Sequence, residues 1–317
     1  MTISLVARLM AALLGLSVAS LGFAASDPPA AGVVTRAVPN ETDWAVRMPA
    51  DDKVAYRGLV SQDTSGPSGV AVMYPAPNLV GLFAAIAAHG LVSSSRQAKE
   101  KSRVQEEADK VLLPYQPLLD KVTHGLLAQR AFERMTRGAG KKVVEPNATV
   151  SNGWIIETAP VFSVTQDERA LLLDNVIVVR APGSPDVINY QNVVRVVSVP
   201  RPAAEQKAGI VEFWTADEGR MIAQESADLF AKSLDIVLAD LARGPELSAS
   251  APKTVRYKLG GVESIERASL IEERCDRLTL RTLRGGLLSI PAPVSSCEGG
   301  QVADKPPTLT SGAVASQ

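Results

Sequence analysis

The chain is poor in the residues from which most catalytic and metal centres are built. Histidine occurs twice, at His89 and His124, and cysteine twice, at Cys275 and Cys297. Two separated imidazoles with no neighbouring thiols or paired carboxylates make a poor zinc site. They leave a Ser–His–Asp hydrolase only two candidates for its base. Aromatic residues make up 4 % of the chain, too few to suggest a base- or sugar-stacking platform. Neither sign of charge is in excess, with Lys+Arg 33 against Asp+Glu 34, which argues against nucleic acid as a partner. Long apolar runs are missing too. The stretch LVGLFAAIAAHGLV at 79–92 would rise about 21 Å as a helix, against a hydrocarbon core of about 30 Å. It reads as a helix buried inside a domain, with Gly81, Ala85 and Ala88 allowing close approach of a neighbour. No catalytic, cofactor-binding or metal-ligating set emerges, and no cofactor is expected.

What is present begins with an export signal. Arg8 supplies a positive start, Leu9–Leu21 an apolar stretch, and Gly22-Phe23-Ala24 the small residues a signal peptidase reads. Residues 1–25 are therefore expected to be a signal peptide cleaved after Ala24 or Ala25. An uncleaved anchor is disfavoured by the shortness of the run. With no cysteine near the cleavage point, a lipid anchor is not expected. The mature chain is expected in the periplasm, or outside the cell, as a protein that does not span the membrane. Cys275 and Cys297 fit an oxidising compartment. A disulfide between them would close a loop of about 20 residues and contribute about 3 kcal/mol; two unpaired thiols are the alternative.

Residues 26–43 (SDPPAAGVVTRAVPNETD) read as a mobile leader and 298–317 as a disordered tail. Between them the pattern predicts an α+β domain over 44–248 and a small β-rich module over 249–297. Strands are expected at 53–60 and 69–74, and helices within 78–136. A second group of strands is expected at 154–156, 161–164, 170–180, 190–199 and 210–214. Thr215-Ala216-Asp217-Glu218 has the form of a capping box opening a long helix to Ala242. Short connections favour an antiparallel sheet with helices packed on one face. In the last module 253–259, 262–273, 277–283 and 287–290 read as strands around Gly260-Gly261 and Gly285-Gly286.

Two surfaces are candidates for binding. The mixed-charge helix 96–110 carries Arg96, Lys99, Glu100, Lys101, Arg103, Glu106, Glu107 and Lys110. Its plain reading is a solvated face with pairs such as Glu106–Lys110, and its functional reading is docking to a partner protein. Arg277, Arg281 and Arg284 recur in the last module as a candidate face for an anionic ligand. Arg277 and Arg281 fall on one side of an alternating strand, where charges also serve simply to block edge pairing. Asp63-Thr64-Ser65-Gly66 reads as a turn rather than an aspartic-protease motif, since Gln62 precedes it and Ser65 stands where glycine is needed.

The short apolar helix with its Ser-rich, Arg-containing step (81–96), the strand pair over 160–180 and the strand, Trp and long helix over 210–241 resemble a loose group of uncharacterised envelope proteins of Gram-negative bacteria. The likeness covers about residues 68–245. It implies a secreted or lipoprotein-like envelope component and supplies no catalytic residue. The reading that follows is a non-enzymatic periplasmic protein, a docking or auxiliary part of an envelope assembly or transport machine. A carrier of an apolar or lipid-like ligand and a periplasmic hydrolase are the alternatives.

Overall fold

The computed structural model describes residues 43–60, 96–150, 153–183, 187–202, 207–244 and 250–292. The expected signal peptide, nearly all of the expected leader, the strand expected at 69–74, the helix expected at 79–92 with His89, Cys297 and the expected tail lie outside these residues.

Among the described residues, ten strands and four α-helices form an α+β fold around one mixed, mostly antiparallel sheet. In chain order they are β1 (Trp44–Arg47), β2 (Ala55–Gly58), α1 (Arg96–Asp109), α2 (Gln116–Leu119), α3 (His124–Phe132), β3 (Lys141–Val144), β4 (Trp154–Val164), β5 (Leu171–Arg180), β6 (Tyr190–Val197), α4 (Lys207–Arg243), β7 (Lys253–Leu259), β8 (Val262–Glu273), β9 (Arg277–Thr282) and β10 (Leu287–Pro291). The order across the sheet is β3-β1-β4-β5-β6-β10-β9-β8-β7, with β2 also on β4.

All ten residues of β5 are buried, because the sheet is covered on both sides. Leu171, Leu173, Ile177 and Val179 join the large cluster formed with Phe230, Leu234 and Val237 of α4. Leu172 turns the other way, to a second cluster with Val197, Tyr257, Leu259, Leu280 and Leu288. The C-terminal strands thus fold back over the face that the helices leave open. The turn between β7 and β8 is tied there, since the Gly261 amide donates to Asp167 at 2.5 Å.

The sheet is not purely antiparallel. β1 and β2 both run parallel to β4, opposite 154–157 and 161–164, and β10 runs parallel to β6. The long connections through the helices return the chain in the same direction, which short hairpins cannot do. The runs 154–156 and 161–164 are one strand. Its residues 158–160 fall between the partners of β1 and β2, so Pro160 sits where no ladder on that edge needs its missing N–H.

Two expectations fail in α4. The run Ile210–Trp214 is helical, with Ile210 and Trp214 buried one turn apart; so short an apolar run fits either period. Thr215 does not cap a helix start. Its hydroxyl donates back to the Val211 carbonyl at 2.8 Å, marking the end of a first arm. Ala216 then leaves helical geometry, and Asp217, Glu218 and Gly219 take φ of 50°, 56° and 79° before the second arm begins. Within the helical region expected at 78–136, the stretch after α1 is divided into the short α2 and the separate α3. Thr123 caps α3, its Oγ accepting from the Leu126 amide at 3.2 Å.

Candidate docking site

The outer face of α1 is the sequence candidate that the fold leaves accessible. Arg103, Glu106, Glu107 and Lys110 are exposed. Arg96, Lys99, Glu100 and Lys101 belong to the same helix by their backbone, and 96, 99, 103, 106 and 110 follow one i+3/i+4 row. Lys110 pairs with Glu107 at 2.5 Å, one residue nearer than the expected Glu106, while Glu106 accepts from Ser102 at 3.0 Å.

The inner face explains why this helix is held still. The Gly58 amide donates to Asp109 at 2.7 Å, and Gln105 donates to the Gly58 carbonyl at 3.0 Å and to Asp109 at 2.8 Å. Two side chains one turn apart thus satisfy the outer edge of β2. Glycine is required for the approach, since a Cβ at position 58 would run into the Ala108 carbonyl. Gln166 seals the end of the helix, donating to the Leu59 and Ala108 carbonyls at 3.0 and 3.2 Å. Gln105, Asp109 and Gly58 were not candidates from sequence. A lone glycine within a strand pattern is the signal that could have pointed to a close backbone contact.

The arginine face is not formed. Arg277 and Arg281 do share a side of β9, but that side faces α4. Arg277 is buried and donates to the Ser289 hydroxyl at 2.9 Å and to the Val197 carbonyl at 2.7 Å. Burial lowers its pKa to about 10 against the opposing charges of Asp276 and Glu225. Arg281 pairs with Asp240, which also accepts from the Tyr190 hydroxyl at 3.0 Å. Arg284 stands exposed in the following turn. Alternation identified the side correctly; what it could not show is that a helix covers it.

Cys275 is exposed between β8 and β9, and its proposed partner Cys297 lies outside the described residues. His124 is buried at the start of α3, its Nδ1 2.6 Å from the Asp51 carbonyl. Burial lowers its pKa, opposed by that hydrogen bond and by the charges of Asp51 and Asp52. Among the described residues no three His, Cys, Asp or Glu side chains gather as a metal site, and no helix is long and apolar enough to cross a membrane.

The most concentrated charge in the interior was not foreseen. Asp174 on β5 and Arg195 on β6 lie directly opposite each other and join through two hydrogen bonds of 2.7 and 2.8 Å. Arg57 of β2 approaches the same carboxylate at 3.6 Å. Burial alone would raise the Asp174 carboxyl; Arg195, by charge and hydrogen bonds, and Arg57 by charge hold it below the usual range. A second buried carboxylate, Glu168, takes a left-handed φ of 62°. It accepts the Tyr115 hydroxyl at 2.5 Å, and its carbonyl accepts the Trp214 indole at 2.7 Å. These contacts tie the β4–β5 turn to α2 and α4, and read as architecture.

Comparison with protein-family models, with curated proteins and with solved structures gives no match to this chain.

Proposed function

We propose that the protein is a non-enzymatic component of the bacterial cell envelope, exported to the periplasm, that docks a partner protein through the outer face of α1. The observation that supports this is the clamp of Gln105 and Asp109 on Gly58. It fixes one side of a charged helix to the sheet and leaves Arg103, Glu106, Glu107 and Lys110 facing outward. A preset array of both signs gives orientation and partner choice at little entropic cost. The expected export signal and the resemblance to envelope proteins support a partner in the envelope. On this reading strands β7–β10 close the second face of the sheet, while the helices cover the first.

Photo-crosslinking in intact cells tests the reading. A crosslinker at position 103 or 107 is expected to trap a discrete partner, and charge reversal at the neighbouring positions is expected to abolish the adduct. The same crosslinker at the exposed position 187, between β5 and β6, serves as the control. Equal yields with and without reversal would reduce the face to a solvated surface.

A further inference from the structure

We infer that the outer edge of β7 is a strand-addition site for an extended segment of another protein in which acidic and apolar residues alternate. This goes beyond the docking role given to α1 and rests on a different surface.

β7 ends the sheet. Among the described residues its ladder partner is β8, in unbroken register from Lys253↔Ala268 to Leu259↔Val262. A strand so placed directs alternate N–H and C=O groups away from the sheet. Proteins blunt such edges with short strands, charged side chains, prolines or bulges. The opposite edge is short, since β3 has only 4 residues. β7 has 7 residues and no proline, and the nearby register shift lies further in, between β8 and β9 at Leu270/Glu272. The charges of β7, Lys253, Arg256 and Lys258, are all cationic, so they turn away a like-charged strand and admit an acidic one.

The side chains define what fits. Val255, Tyr257 and Leu259 turn toward the second cluster, with Tyr257 and Leu259 buried and Val255 partly so. On the other side the cross-strand pairs are Thr254 with Arg267, Arg256 with Ile265, and Lys258 with Glu263. Three cations therefore meet the one carboxylate of Glu263, which pairs with Arg256 at 2.6 Å in an exposed setting. Ile265 is 52 % exposed between them. A strand laid along this edge would bring alternate residues beside Arg256 and Lys258, where carboxylates are favoured. Its intervening residues would extend the apolar row begun by Val255. A second copy of the chain fits poorly, because antiparallel pairing centred on Arg256 sets that residue against itself. The cations that oppose self-pairing are the ones that select an acidic strand.

The test titrates the full mature protein with short capped peptides of alternating Glu and Val, and of alternating Lys and Val, at low salt. Each is followed by amide exchange and fluorescence anisotropy. The Glu/Val peptide is expected to bind, to weaken with salt, to protect amides within 253–259, and to lose about tenfold or more in affinity in Arg256→Glu/Lys258→Glu. The Lys/Val peptide is expected not to bind. Lys258→Glu alone, checked by circular dichroism, replaces the double variant if the latter fails to fold. Four results would each overturn the inference: protection of every amide of 253–259 in the free protein, equal binding of both peptides, no response to charge reversal, or a β7-dependent dimer. Charge reversal on α1 leaves the expected peptide binding intact, so the two surfaces fail or succeed separately.

Discussion

Asp174 and Arg195 show how a single side chain can hold a sheet together. Each sits within a mostly apolar run, LLLDNVIVVR and YQNVVRVV. Removing the carboxylate would strand a guanidinium that is 1 % exposed. Asp174→Asn is therefore expected to cost about 3–5 kcal/mol, measured by urea denaturation. Replacing both partners with apolar residues of similar size should cost less, since no charge is then left unpaired. The acid limb follows from the depressed Asp174 pKa. The stabilisation is complete above the unfolded carboxyl value of about 3.9 and drains away as pH falls through the lower folded value. A stability–pH profile in which Asp174→Asn has lost that part of the acid slope would confirm it. Gly58 carries a steric prediction at the same scale. Gly58→Ala should cost about 1–3 kcal/mol and speed amide exchange in α1, because the Ala108 carbonyl occupies the space a methyl group needs.

Among the elements, α4 is the least regular. Asp217 and Glu218 both adopt left-handed geometry, which costs a residue with a Cβ about 1–2 kcal/mol. Glu218→Gly is expected to raise stability by about 0.5–1 kcal/mol after the extra freedom of the unfolded chain is counted. Gly219→Ala should lower it, since that glycine has φ 79° and packs on Leu118. Paired thermal melts of the two variants, moving in opposite directions, would establish the kink. Sequence reading went wrong here for a physical reason. Thr-Ala-Asp-Glu has the composition of a helix start, yet Thr215 bonds backward and the chain leaves the helix at the next residue, Ala216. Strands β5 and β6 were legible from their Val and Ile content, and β7 to β10 from alternation and glycine turns. The break between α2 and α3 was not, because it depends on the His124 amide reaching the Asp52 carbonyl from a distant segment. Of the candidate binding residues, the exposed row on α1 could be read from charge pattern alone, whereas the burial of Arg277 required knowing where α4 lies.

At the level of the whole molecule, the helices and the C-terminal strands cover opposite faces of one sheet, and β10 is laddered to β6. Loss of either cover would expose the apolar residues of β5 and β6, so the described body is expected to unfold as one unit. Hydrogen exchange in mild denaturant should give the amides of β4–β6 and of β9–β10 the same opening free energy; a weaker value confined to β9–β10 would separate them. The parallel pairing of β6 with β10 also bears on how the chain reaches this state. Val194 must find Leu287, and Trp44 must find Trp154, across long intervening stretches, so loop closure is spent well before the ladders reward it. Refolding is expected on the scale of milliseconds to seconds. For that interval the strands of the central sheet stand unzipped, open to pairing with those of neighbouring chains.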